Sequence, residues 1–337
     1  MSSNYFKYKA ISLTPEGELD SRSLKEVVEP IAESYLYLPT REQLNDPNEG
    51  IFQNQIQAGI TAFLHGLYSI GERTELTKTL IDLAGQISQS TDNSGIFSLS
   101  RNDTDELLWA HYAASHCGIA IEYNLDQLTR FCSKQHLHCF GVDYVDEPPR
   151  LDMQHLQGNA EKAVRAMLGH KSPRWSYEEE FRVLLENIHG PMPHDYRAVK
   201  SITFGLKVPD EVRTKIYEAT KHKVPKYCEI VKIPETYLLE RRLLEALSGE
   251  RPVGEKSAVN WAEHFSNLNE TEKEHMIEIA QREIESDPHF EELLLAEKSS
   301  TYPAKAVLQY QARHHLGLDP WSKYTKRYYD LQQHQSF

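Results

Sequence analysis

Trp175-Ser176-Tyr177-Glu178-Glu179-Glu180-Phe181-Arg182, continued by Val183-Leu184-Leu185, is the stretch on which the reading of this chain turns. Apolar or aromatic residues at 175, 177, 181 and 183 predict a strand over 175–185, because side chains on a strand alternate between faces. Trp175, Tyr177, Phe181 and Val183 then share a core-forming side, and Glu178, Glu180 and Arg182 share the other. Two carboxylates and a guanidinium in one row are either a solvated set of ion pairs or the floor of a polar cleft. Both readings are open from the residues alone.

Further β-rich runs flank this one at 6–10, 35–38, 96–100, 118–123, 139–145, 199–204 and 227–233, and helical periodicity covers 53–69, 72–88, 103–115, 156–168 and 209–221. Helices and strands do not alternate one for one, and no glycine-rich βα turn appears, which disfavours a doubly wound nucleotide fold. The expectation is an α+β domain over 1–247, with a mixed or mainly antiparallel sheet and flanking helices. Ser248-Gly249-Glu250-Arg251-Pro252-Val253-Gly254 reads as a linker. The region 255–337 is expected to be an all-helical C-terminal appendage, with Asn269 and Glu272 as a capping box and a last helix opened by Asp319-Pro320.

The 337 residues carry a net charge of −13. That balance opposes a general phosphate-binding coat, which requires clustered Lys and Arg. One local exception is the last predicted helix, where Trp321, Tyr324, Tyr328 and Tyr329 alternate with Lys323, Lys326 and Arg327. It packs on its own domain or meets a nucleic-acid partner. No apolar run reaches the roughly 20 residues of a membrane span, and the first residues lack the apolar core of a secretory signal. A cytoplasmic protein with no membrane partner and reduced cysteines is the expectation. Cys132, His136, His138 and Cys139 are plausible soft-metal ligands but match no established zinc spacing, and no metal site is assigned.

Several residues are candidates for chemistry. On a helix, His111 points about 200° away from Trp109. If Trp109 is core, His111 faces a cleft or solvent, where its near-neutral pKa suits acid–base work. His116 reads as a helix C-terminal cap. Asn45-Asp46-Pro47-Asn48-Glu49-Gly50 has turn chemistry, and Asp46 and Glu49 would add carboxylates to a cleft containing Glu178 and Glu180. Lys171 either sits in a solvated loop, holds one of those carboxylates or neutralises a substrate phosphate.

Phe6-Lys7-Tyr8-Lys9, Leu36-Tyr37-Leu38 leading to Asn45-Asp46-Pro47-x-Glu49, Leu108-Trp109-x-His111-Tyr112 with His116 and Gly118, Val142-x-Tyr144, and Lys171 leading to Trp175-x-Tyr177-Glu178-x-Glu180-x-Arg182 form an ordered set. Together they resemble the bacterial family of domain of unknown function 2971, over about residues 5 to 235. The family name implies no activity. The set is also similar, more distantly, to the entry of ADP-ribosyltransferase-like toxins. That likeness implies a first-strand polar residue (Lys7 or Tyr8), an aromatic stacking on nicotinamide (Tyr112) and a late-strand glutamate stabilising a ribosyl cation (Glu178 or Glu180). Lys7 departs from the His or Arg expected there, and Lys lacks a planar donor fork.

The resulting expectation is an enzyme acting on a nucleotide-like small molecule, in its most specific form NAD-dependent ADP-ribosyl transfer in a toxin or phage-defence setting. Glu180, Glu178 and His111 would be catalytic. Lys7, Tyr8, Asn45, Asp46, Glu49, Tyr112, Lys171, Trp175, Tyr177 and Arg182 would bind substrate. A metal-dependent hydrolase or nuclease and a non-enzymatic binding or regulatory module are the alternatives. The cofactor is unassigned, with NAD as a candidate substrate, and the oligomeric state is not legible.

Overall fold

The computed structural model describes residues 4–54, 89–129, 136–151, 160–249, 259–281, 290–312 and 325–331, together with single positions 78, 85 and 132. In chain order the first strands are β1 Asn4–Lys9, β2 Tyr35–Leu38, β3 Gln53–Asn54, β4 Gly95–Ser100, β5 Ile119–Asn124, β6 Leu137–Gly141 and β7 Asp143–Tyr144. They are followed by β8 Arg150–Leu151, β9 His170–Lys171, β10 Glu180–Leu185, β11 Gly190–Pro193, β12 Val199–Phe204, β13 Tyr227–Lys232 and β14 Leu239–Leu243. Eight of them form the main sheet in the order β14-β13-β12-β5-β1-β4-β10-β6. Every pairing in it is antiparallel except β12 with β13, whose crossover contains the helix Asp210–Thr220. The α+β class expected from the sequence holds.

β10 lies between β4 and the edge strand β6, and all six of its residues are buried. Phe181, Val183 and Leu185 enter the largest core cluster with Tyr5, Phe97, Leu99 and Ile121. Leu184 enters a separate cluster with Ile96, Val164, Met167 and Leu168, under the helix Ala160–Leu168. The alternation predicted for this strand is therefore real from 180 onward. It fails upstream: Pro173–Glu178 is a 3-10 helix and Glu179 takes a left-handed conformation with φ 43°. Pro173 gives no ladder donor and presets a helical φ, so the chain turns before it extends.

The helix Glu106–His111 is capped by Asp105, whose carboxylate accepts from Leu107 N at 2.8 Å and Leu108 N at 2.9 Å. It buries Trp109 completely, with the indole N–H donating to the Asp103 carbonyl at 2.8 Å and the ring edge-on to Tyr8. The chain then returns through Ala114, Ser115 and His116, all with positive φ, into β5. His116 stacks on Trp109, and burial lowers the pKa of its imidazole, which works against the charged helix cap the sequence implied. Gly118 closes this turn. A Cβ there would lie 2.1 Å from the Lys9 carbonyl oxygen and 2.9 Å from Ala113 Cα, both main chain.

The segment beyond the linker is not all-helical. The helix Glu270–Ala280 forms with the expected Asn269/Glu272 capping box. It packs beside a three-stranded antiparallel sheet of β15 Phe290–Lys298, β16 Lys305–Ala312 and β17 Thr325–Asp330. The core formed there draws on residues from Trp261 to Leu331. Aromatic residues at 328 and 329 favour a strand once a partner is present. β17 has that partner in β16, with Tyr329 opposite Ala306 and buried. The predicted basic aromatic helix thus lacks its second half, and with it the geometry offered for a nucleic-acid contact. Trp321, Lys323 and Tyr324 lie outside the described residues, as do the predicted helices at 53–69 and 72–88 apart from Gln53–Asn54, which is β3, and the helical positions 78 and 85. Among the described residues no helix is long and apolar enough to cross a membrane.

Because the Gly118 environment is backbone on two sides, Gly118→Ala should destabilise the fold by about 1–3 kcal/mol. Urea unfolding of the two proteins measures it, and an unchanged midpoint would contradict the tight turn.

Candidate functional site

Arg182 is the buried centre of the charged cluster. Its five N–H donors are all taken: Nε and Nη2 donate to the Glu180 carboxylate at 2.9 and 3.1 Å, Nη1 and Nη2 to Glu49 at 2.6 and 2.8 Å, and Nη1 to the Leu168 carbonyl at 2.5 Å. The side chain is 0% exposed. Burial works against its charge, but Glu180 and Glu49 more than offset this and hold the guanidinium well above its ordinary pKa. Expected to bind substrate or orient a carboxylate, Arg182 does the second and has no donor left for the first.

Lys171 carries the network outward. β9 pairs with β7, placing Lys171 opposite Tyr144, and its Nζ lies 2.7 Å from Glu180 and 2.8 Å from Glu178. Its ammonium also sits 5.5 Å from the centre of the half-buried Trp175 ring. Although burial opposes the charge, Glu180 and Glu178 raise the pKa of Lys171. Burial likewise opposes ionisation of Glu180, yet Arg182 and Lys171 hold its carboxyl down to about 2. Glu178 is not on the strand, but the 3-10 helix delivers it to the same place. Its carboxylate accepts from Lys171 and from the Tyr112 hydroxyl. Burial, then the Glu178 carboxylate, push the Tyr112 phenol upward, so Tyr112 keeps its proton and acts as a donor.

These groups floor a cavity of about 210 Å³ that opens to solvent. β1 and β4 pair only at Phe6 with Ser100, and the cavity is lined by Phe6, Lys7 and Tyr8 from β1, Ser98 to Ser100 from β4, Gln43 to Asn45, and Tyr112, Lys171, Glu178 and Glu180. Tyr8 donates to the Asn102 carbonyl at 2.8 Å. Lys7 donates to the Ser98 carbonyl at 2.8 Å and lies 5.0 Å from the Phe97 ring centre. Among the described residues it has no carboxylate within salt-bridge distance. Burial, reinforced by Lys9 and Lys171 against the pull of Glu180 and Glu178, lowers its pKa to about 7.

Six expected site residues, His111, Asp46, Glu49, Trp175, Tyr177 and Arg182, are absent from the cavity wall. His111 is exposed, and its Nδ1 is 3.1 Å from the Tyr177 hydroxyl. With Trp109 facing the core, the next position, Tyr112, is about 60° from Trp109 on the helix and takes the inward place that an acid–base histidine would have needed. Tyr177 is engaged by that imidazole. Asp46 is buried, but its carboxylate accepts from Asn48 N at 2.9 Å and serves the turn. Glu49 joins the ionic floor beneath the cavity through Arg182. His136 and His138 both approach Glu186, at 3.6 and 2.7 Å, instead of forming a site with Cys132 and Cys139. Among the described residues no group of three or more His, Cys, Asp or Glu is placed to hold a metal ion. Two contributors carried no signal as site residues: Ser98 acts through its carbonyl, and Tyr144 acts through a hydroxyl that accepts from Glu180 N at 2.9 Å.

The fold and site therefore define an α+β domain with a small open cavity over a buried ionic floor. The family described as protein of unknown function (DUF2971) matches residues 108–183, which carry Tyr112, Lys171, Glu178, Glu180 and Arg182. Over that segment the chain is similar to this family, in line with the resemblance its motifs carry. No curated protein and no solved structure matches the chain, and nothing in these comparisons links it to ADP-ribosyltransferase-like toxins.

Removing Arg182 would leave Glu49 and Glu180 buried with Lys171 as their cation. Arg182→Met should cost about 3–5 kcal/mol in urea unfolding, and a loss below 1 kcal/mol would show the cluster to be dispensable. Glu180 gives a pH signature as well. Its folded pKa of about 2 lies below the ordinary 4.5, so its stabilisation is complete above 4.5 and is lost as pH falls towards 2. Thermal melts across this window should slope less steeply for Glu180→Gln than for the unaltered chain.

Proposed function

We propose that this chain is an enzyme that takes one small group of a nucleotide-like substrate into the cavity and stabilises positive charge developing on it. The observation that carries this reading is the charge balance of the floor: Glu49, Glu178 and Glu180 face Lys171 and Arg182, leaving one carboxylate charge in excess beside an open space. Preorganised charge aimed at a forming cation lowers a barrier without reorganisation at the moment of reaction. Glu180, ionised down to about pH 2, acts as an electrostatic group and not as a proton donor. Tyr112 orients Glu178. At about 210 Å³ the cavity is smaller than the roughly 300–1,000 Å³ of a complete ligand site, so a single ring or sugar enters and the remainder of the substrate stays outside.

Cleavage of the nicotinamide–ribose bond of NAD, with transfer of the ADP-ribosyl group, is the specific form of this chemistry. Its transition state resembles an oxocarbenium ion. A metal-dependent hydrolase is less favoured, since Glu49 and Glu180 spend their oxygens on Arg182 and Lys171. The non-enzymatic binding module is the second reading, favoured by the complete saturation of Arg182.

Purified full-length protein incubated with NAD should release nicotinamide, measured chromatographically. Glu178→Gln should lower the rate by on the order of 10²-fold while the melting temperature shifts little. The rate should rise as pH passes through about 7, where Lys7 loses the proton that otherwise offsets the excess negative charge. Absence of both NAD binding and nicotinamide release would overturn the reading, and binding without turnover would favour the module.

A further inference from the structure

We infer that Lys7 is a covalent nucleophile of the cavity, taking the carbonyl carbon of a small aldehyde, such as an open-chain sugar presents, as an imine. The inference shares the cavity of the preceding section but does not require a glycosidic bond to break.

Two lysines line this space, and their surroundings differ. Lys171 is clamped by Glu178 and Glu180 within 2.8 Å and kept as an ammonium. A protonated amine has no lone pair to give. Lys7 instead rests one N–H on the Ser98 carbonyl, beside the Phe97 ring. The charged groups bearing on it are Lys9 on its own strand and Lys171, which disfavour its proton, and Glu180 and Glu178, which favour it. Burial decides the balance and brings the amine to about 7, so a large fraction is neutral near physiological pH. A desolvated lysine of this kind is a recognised route to imine chemistry. Lys223 supplies a comparison, because burial lowers it to about 8 and yet it is absent from the cavity wall. Low proton affinity alone therefore does not set Lys7 apart. Its combination with an open cavity does.

In the step itself the Lys7 Nζ lone pair forms a bond to the carbonyl carbon as the C=O π bond breaks. The oxygen gains a proton and the nitrogen loses one through solvent, to which the cavity opens. The carbinolamine hydroxyl then takes a proton from solvent and leaves as water as the nitrogen lone pair forms the C=N bond, and the remaining N–H proton returns to solvent to give the imine. Nothing is oxidised or reduced. On the same wall the Asn45 amide can donate to the aldehyde oxygen, and the Tyr112 oxygen, whose proton goes to Glu178, can accept from a neighbouring hydroxyl. Phe6, Leu99 and Leu108 cover the apolar side.

The test is competitive labelling of the folded full chain with glycolaldehyde and cyanoborohydride, whose hydride fixes each imine as an amine, followed by peptide mass mapping. Near pH 7 Lys7, about half neutral, should be modified on the order of 1,000-fold faster than exposed lysines of ordinary pKa near 10.4, and faster than Lys223. Its rate should level off above about pH 8, while that of exposed lysines continues to rise. Lys7→Arg should remove the fast phase, and NAD should slow it in the unaltered chain if both occupy the cavity. Labelling of Lys7 no faster than that of exposed lysines, or equal labelling of Lys7 and Lys223, overturns the inference. Fast capture by Lys7 without nicotinamide release leaves this inference standing and removes the NAD reading. Nicotinamide release without preferential capture does the reverse.

Discussion

A guanidinium with no contact to water organises the centre of this protein. Arg182 must find five acceptors because an unsatisfied buried donor is costly, and it finds them in three separate parts of the chain: Glu49 in the turn after β2, Glu180 two residues back on its own strand, and the Leu168 carbonyl at the end of the helix Ala160–Leu168. Those acceptors fix the turn and the helix end against β10. Apolar side chains replacing the whole cluster, Glu49 and Glu180 included, could fill the space with comparable stability. What they would not do is hold a carboxylate beside the cavity in one orientation and one protonation state. Lys171 extends the arrangement to Glu178, and Glu178 to Tyr112. The ionic floor is one connected system running from a buried arginine to a phenol at the cavity wall.

The electrostatics of the two cavity lysines follow from their distances to this floor. Lys171 lies within hydrogen-bonding reach of two carboxylates, where Coulomb attraction exceeds the penalty of burial. Lys7 feels the same carboxylates without touching them. There the desolvation penalty prevails, and one carbonyl hydrogen bond is insufficient to restore the charge. A few ångströms thus separate a permanent cation from an amine that titrates near neutrality.

The sequence exposed much of this, and the places where it failed have physical causes. The strands β2, β4, β5, β12 and β13 are legible because β-branched and aromatic residues fill them, and Asn269 with Glu272 marks its helix start correctly. Within β10, alternation separates Phe181 and Val183 from Glu180 and Arg182. The extension of that alternation back to Trp175 is wrong because Pro173 starts a helical turn, yet Glu178 still reaches Glu180's neighbourhood through Lys171. Helical geometry gave the correct direction for His111, outward, but the cavity is on the other side, where Tyr112 ends the helix. Asp46 looks like a cleft carboxylate by composition and is a turn residue by hydrogen bonding. Lys7 stands out in the sequence only through resemblance to a strand motif. Its lowered proton affinity depends on burial, which no local pattern encodes. The C-terminal strands were missed because their pairing with one another, not their own periodicity, determines their form.

The segment shared with the family, residues 108–183, contains the carboxylates, Lys171 and Arg182 but not β1 or the turn that supplies Glu49. Lys7 and Tyr8 therefore enter the cavity from a strand outside the matched segment, while Lys171, Glu178, Glu180 and Arg182 lie inside it. A chain with the same ionic base and other side chains in place of Lys7 and Tyr8 would keep the same field under a differently shaped opening, so the first strand sets the form of the hollow and the later segment sets its charge.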